Sequence, residues 1–117
     1  MNIGGETLNM SNDKEILEIK FPIEKLGGPW IVIAKSESER WAIVAAEWQG
    51  EPRLAMRWFW GKLGNPVSHL YPTWLIISVE LSNIILNGLL LTPTQRYLID
   101  QFMTKRMSGE DLKREYV

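Results

Sequence analysis

The chain has 117 residues, of which 45% are hydrophobic, and this length and composition predict one domain, spanning residues 1–117, with an ordinary core. Its 13 basic and 14 acidic residues give a net charge of −1, so no global positive field draws it to nucleic acid or anionic lipid. The sequence has no cysteine, which excludes disulfides and thiolate metal sites and favours a cytoplasmic location.

The first part of the chain predicts a tail followed by a strand. Residues 1–12 contain Gly4 and Gly5 and no long apolar run, so we expect a disordered tail and no signal peptide. In residues 15–21, apolar residues alternate with charged ones and end before Pro22, the period-2 pattern of a strand with one wet face.

The middle of the chain predicts a sheet. Apolar and aromatic runs are separated by turn-rich segments at 36–39 and 49–52, and short links favour antiparallel neighbours. A longer loop, 61–72, contains Pro66 and Pro72. The expected fold is α+β, an antiparallel four- to five-stranded curved sheet followed by helices, with strands at residues 30–35, 41–48, 53–60 and 73–78 besides 15–21.

Residues 79–91 predict an amphipathic helix. Its polar residues Glu80, Asn83 and Asn87 form one stripe, with leucine and isoleucine around the rest. The apolar run 73–91 is close to the ~20 residues of a membrane span, but these polar residues make insertion unfavourable. We therefore expect no membrane span, and a helix covered by the sheet together with either the C-terminal segment or the second subunit of a homodimer.

The C-terminal segment, residues 92–117, predicts a helical extension. Thr92 precedes a proline and is followed by Gln95 at the third helical position, the pattern of a capping box, and the helix is expected to continue to about Arg106. Ser108 offers a second N-cap before a charged final turn.

The sequence offers little catalytic chemistry. His69 is its one histidine, so nucleophile and base pairs of the usual kinds have few candidates. The carboxylates follow no metal-ligand spacing and no phosphate-binding loop is present. We expect no metal, no cofactor and no enzymatic activity.

One strand offers residues suited to single-stranded nucleic acid. Alternation along residues 53–60 predicts a core face, Leu54, Met56, Trp58 and Trp60, and an opposite face with Arg53, Ala55, Arg57 and Phe59. Two guanidinium groups and an aromatic ring on that second face can hold phosphates and stack on bases.

A family resemblance supports this hypothesis. It is carried by residues 30–37, Trp41, Trp48, Glu51-Pro52-Arg53, Met56-Arg57, Phe59 and residues 76–81. These resemble the bacterial branch of the positive-cofactor-four-like family, single-stranded-DNA-binding transcriptional coactivators built from four antiparallel strands and a helix, paired as a homodimer. The resemblance covers residues 30–91 and implies a nucleic-acid groove lined by Arg53, Arg57 and Phe59. Our hypothesis adds Lys35, Arg40 and Trp41 to this groove.

Two departures from the family keep other functions open. Residues 42–46 carry no basic residue, and the chain is acidic overall. An alternative is a protein-interaction module, such as an inhibitor, an immunity protein or a complex subunit, that keeps the fold without binding nucleic acid. A third hypothesis is a small-molecule pocket closed by residues 61–72 and lined by Trp58, Trp60, Tyr71 and Trp74.

Overall fold

The computed structural model describes residues 10–23 and 27–117. The predicted tail up to residue 9 lies outside these ranges. In chain order the elements are α1 (Asp13–Leu17), β1 (Ile31–Ser36), β2 (Trp41–Trp48), β3 (Glu51–Trp58), β4 (Val67–Ser68), β5 (Tyr71–Pro72), β6 (Leu75–Ile76), α2 (Val79–Gly88), α3 (Pro93–Met103) and α4 (Gly109–Glu115).

The sheet is a four-stranded antiparallel meander in the order β1-β2-β3-β6, which confirms the α+β prediction. Gln49 and Gly50 join β2 to β3 with φ angles of 53° and 78°, the positive values that a two-residue type I′ hairpin turn requires. Because this turn is so short, β3 begins at Glu51, before the predicted start at residue 53.

One face of the sheet packs against α2, α3 and α4. Apolar residues of β1, β2 and β3 meet the buried sides of the three helices in one cluster, which we call the helix-side core. Its most deeply buried members include Ala45, Leu54, Ile99, Phe102 and Leu112.

The opposite face of the sheet is covered as well, by the N-terminal segment and Trp74. Met10, Ile16 and Ile23 pack there with the alternate residues of β2 and β3, forming what we call the N-terminal core. The predicted disorder of residues 10–12 is therefore wrong: Met10 is 1% exposed, and the Asn12 side chain accepts a hydrogen bond from the Lys14 amide as the N-cap of α1.

The predicted strand at residues 15–21 is wrong. Acidic residues occupy the first turn of α1 after the Asn12 cap, and this local start signal prevails over the apolar alternation. Only Phe21, at the end of the predicted strand, makes a bridge, to Thr73.

Other boundaries shift by a few residues. The fifth predicted strand shrinks to β6, and the predicted loop 61–72 contains the small β4–β5 hairpin. α2 ends at Gly88 and α3 at Met103, short of residues 91 and 106. The capping box of Thr92 and Gln95 and the Ser108 cap are confirmed. Within residues 10–23 and 27–117, no helix has the length and apolar character needed to span a bilayer.

Candidate functional site

The expected exposed face of β3 is buried. Arg57 is 1% and Phe59 3% exposed, so the prediction that they line an open groove is wrong. The alternation correctly placed both on one face, but the N-terminal core covers that face. The centres of the Phe59 and Trp74 rings lie 6.3 Å apart in a T-shaped arrangement, and the Arg57 guanidinium lies 5.0 Å from the centre of the Phe59 ring.

Arg57 fixes the loop that follows β3. Its Nη1 donates to the Thr73 carbonyl oxygen at 2.7 Å and to that of Pro66 at 3.4 Å, and its Nη2 donates to the Leu63 carbonyl oxygen. The Nε atom has no hydrogen-bond partner in the described structure, and burial lowers the pKa of Arg57 to about 10. A Cβ on Gly64 would collide with Nη2, so glycine allows this close approach. Arg57 thus has a structural role, because it holds the loop after β3 in place.

Lys35 and Arg53 lie apart from each other and from Arg57. The Lys35 ammonium pairs with the Asp13 carboxylate at 2.9 Å and donates to the Met10 carbonyl oxygen, which ties β1 to α1. Arg53 is half-buried, and its Nη1 donates to the Pro52 carbonyl oxygen at 2.8 Å. These two cations do not form a common surface with the buried arginine.

Arg40 and Trp41 come together with two further tryptophans at one end of the sheet. Trp41 is the direct cross-strand partner of Trp58, and the Arg40 guanidinium lies 6.0 Å from the centre of the Trp60 ring. The prediction that Trp58 and Trp60 are core residues is wrong, since they are 39% and 53% exposed. We call Arg40, Trp41, Trp58 and Trp60 the tryptophan end.

The four residues predicted to line a small-molecule pocket do not line one cavity. A cavity of about 460 Å³ contains Tyr71 and Trp74, together with Phe21 and His69, but Trp58 and Trp60 do not line it. The Phe21 and Tyr71 rings lie 5.5 Å apart at its wall.

A larger cleft, of about 580 Å³, lies between the start of β3 and the helices α2 and α3. Three basic side chains, Arg53, Arg96 and Lys105, line it together with the carboxylates of Glu51 and Asp100. The hydrogen bond from Lys105, assisted by the charges of Lys105 and Arg53, lowers the pKa of the Glu51 carboxylate. No local pattern in the sequence predicts this cleft, because its charges come from two distant segments, residues 51–53 and 96–105.

Comparison with known protein families, curated proteins and solved structures finds no match. The resemblance to the positive-cofactor-four-like family stays a prediction. In the part of the chain that the structure describes, no three histidine or acidic side chains are grouped to hold a metal ion.

The outer face of α2, which we define as Leu81 and Ile84, is apolar and exposed. These side chains are 53% and 68% exposed, and their spacing of three places them side by side on the helix. Glu80 is the one charged residue between positions 75 and 95. The sequence predicts a helix that is covered by the sheet together with the C-terminal segment or a second subunit; in the single chain, Leu81 and Ile84 are left exposed.

Proposed function

We propose that the protein is a cytoplasmic protein-interaction module, not an enzyme, that binds through the outer face of α2 and pairs with a second copy of itself. The observation that carries the proposal is the exposure of Leu81 and Ile84 on a helix that packs into the helix-side core through Ile85 and Leu86. Monomeric proteins seldom leave adjacent large aliphatic side chains in water without a binding role.

The scarcity of charge around this face supports a second copy as the partner. In a two-fold symmetric contact the same surface faces itself, so charged residues of one sign would repel each other. Here the chain from Leu75 to Gln95 carries only Glu80 as a charged residue, and Leu90, shortly after the end of α2, is fully exposed as well. Depletion of charge is also typical of the centre of protein interfaces.

Sedimentation velocity over a micromolar concentration range tests this proposal. We expect a dimer that Ile84→Lys disrupts, because the substitution buries an ammonium group in each half of the contact. The control is Leu70→Lys, the same change at an 81% exposed leucine on the β4–β5 turn, which should leave the dimer intact. A monomeric wild-type protein, or a dimer that Ile84→Lys does not weaken, contradicts the proposal.

Single-stranded nucleic-acid binding is a second candidate, favoured by the tryptophan end. Exposed indole rings next to a guanidinium combine stacking surfaces for bases with a charge for phosphate. Of the residues first assigned to the groove, Arg40 and Trp41 belong to this end, while Arg57 and Phe59 are buried. A transcription-associated role would follow from this surface.

Quenching of tryptophan fluorescence by oligothymidine at low salt tests the second candidate. Stacking is worth about 1–3 kcal/mol per base, so Trp60→Ala should weaken binding at least several-fold. The control is Tyr71→Ala, which removes an exposed aromatic ring from the small hairpin. An unchanged fluorescence at micromolar oligothymidine excludes this candidate.

A further inference from the structure

The cleft between the start of β3 and the helices α2 and α3 has more basic than acidic side chains in its lining, three against two. Lys105 pairs with Glu51, and the Arg96 Nε donates to the Asp100 carboxylate at 3.0 Å. Among the described residues no ion pair involves Arg53, whose side chain donates to the neighbouring Pro52 carbonyl oxygen. One positive charge at the cleft therefore has no carboxylate at ion-pair distance.

Arg96 is held in place by several partners. Besides Asp100, it donates to the Asn87 side-chain oxygen at 2.8 Å and to that of Asn83 at 3.5 Å. This network connects α3 to α2 and orients the guanidinium before any ligand arrives. Arg53 is then the cation with donor capacity for a ligand, because a guanidinium has five N–H groups.

The cleft also offers apolar surface. Val79, which is 52% exposed, and the partly buried Met103 line the cleft, while Leu86 and Pro52 are buried in its wall. The volume of about 580 Å³ falls within the range of small-molecule sites, which combine an apolar lining with a few polar groups that fix orientation. A ligand that suits this cleft has an apolar body and one negative end.

We infer that this cleft binds a small organic carboxylate, with its carboxylate on the Arg53 guanidinium and its apolar chain against Val79 and Met103. The planar fork of arginine matches a carboxylate in a bidentate pair. On the helical wheel, the α2 residues that line the cleft, such as Ser82 and Leu86, lie away from Leu81 and Ile84. The inference is thus independent of the proposed dimer.

The test is an NMR titration of the full chain with hexanoate, with hexanamide and inorganic phosphate as parallel probes. We expect hexanoate to shift the amide resonances of Ser82, Asn83 and Met103 at millimolar concentrations. Hexanamide should bind more weakly because it lacks the charge, and phosphate more weakly because it lacks the apolar chain.

Two substitutions of the half-buried Arg53 sharpen the test. Arg53→Gln should weaken hexanoate binding by about tenfold or more, the effect of losing a hydrogen bond between charged groups. Arg53→Lys should give an intermediate loss because it keeps the charge without the fork. The control is Arg114→Gln on α4, an exposed arginine outside the cleft, which should bind hexanoate as the wild type does.

Three results would overturn the inference. They are an absence of shifts at these residues with hexanoate, equal hexanoate affinity of Arg53→Gln and the wild type, and phosphate binding as tight as hexanoate binding. The last result would indicate general attraction of anions instead of recognition of an organic carboxylate.

Discussion

Arg57 combines a full charge with almost complete burial. No described carboxylate forms an ion pair with it, and its partners are the carbonyl oxygens of Leu63, Pro66 and Thr73. Burying a cation costs free energy unless hydrogen bonds offset the loss of water. Carbonyl dipoles supply that compensation here, and in return the loop after β3 is fixed to the segment before β6.

Replacing Arg57 by lysine tests this role. A lysine keeps the charge, but its single nitrogen cannot reach carbonyl oxygens on two sides as a guanidinium does. We expect Arg57→Lys to lower the free energy of unfolding by about 1–3 kcal/mol, the cost of leaving buried acceptors unpaired. Urea denaturation followed by fluorescence gives the value.

The matched control for this substitution is Arg53→Lys. Arg53 is half-buried and its bond is to the adjacent Pro52, so its replacement should change stability by less than about 0.5 kcal/mol. Equal losses at the two positions would show that the loop does not depend on the buried guanidinium.

The apolar alternation correctly predicted which residues of β3 share a face, but it did not predict which side chains are buried and which are exposed. It placed Arg57 and Phe59 together, yet an arginine on an apolar strand is normally at the surface. The missed signal is the continuous apolar run 42–46 in β2, because a strand buried on both faces loses its polar alternation. The absence of basic residues from 42–46 therefore indicates that both faces of β2 are buried.

At the scale of elements, local start signals were more informative than periodicity. The capping box of α3 and the Ser108 cap of α4 were predicted because they depend on residues within one turn. The short α1 was predicted as a strand because apolar alternation was given more weight than its own local start signal, the Asn12 cap followed by Asp13 and Glu15.

The α3 cap allows a direct measurement. The Thr92 side chain accepts from the Gln95 amide at 3.1 Å, and the Gln95 side chain accepts from the Thr92 amide at 3.0 Å. Thr92→Ala removes the first bond and should cost about 1 kcal/mol of unfolding free energy. The comparison is Thr94→Ala, the same change at an exposed residue two positions later, expected to alter stability by less than about 0.5 kcal/mol. A loss of similar size at both positions would attribute the effect to helix propensity instead of capping.

At the scale of the molecule, β2 connects two cores. Ile43 and Ala45 face the helix-side core, while Ala42, Val44 and Ala46 face the N-terminal core. All five are nearly or fully buried. The sequence indicated a meander with helices on one side, whereas the cover on the second side comes from distant segments, Met10 to Ile23 and Trp74, which only the fold brings together.

Because the two cores share one strand, we expect them to unfold together. Ile16→Ala in the N-terminal core and Leu98→Ala in the helix-side core should each cost about 2–5 kcal/mol, as large-to-small substitutions at buried aliphatic residues do. In each variant, urea transitions followed by tryptophan fluorescence and by far-ultraviolet circular dichroism should coincide, as a two-state transition requires. If Ile16→Ala instead separates the fluorescence transition from the loss of secondary structure, the N-terminal segment is a distinct unfolding unit. Arg57 and Phe59 would then become exposed while the helix-side core is still folded.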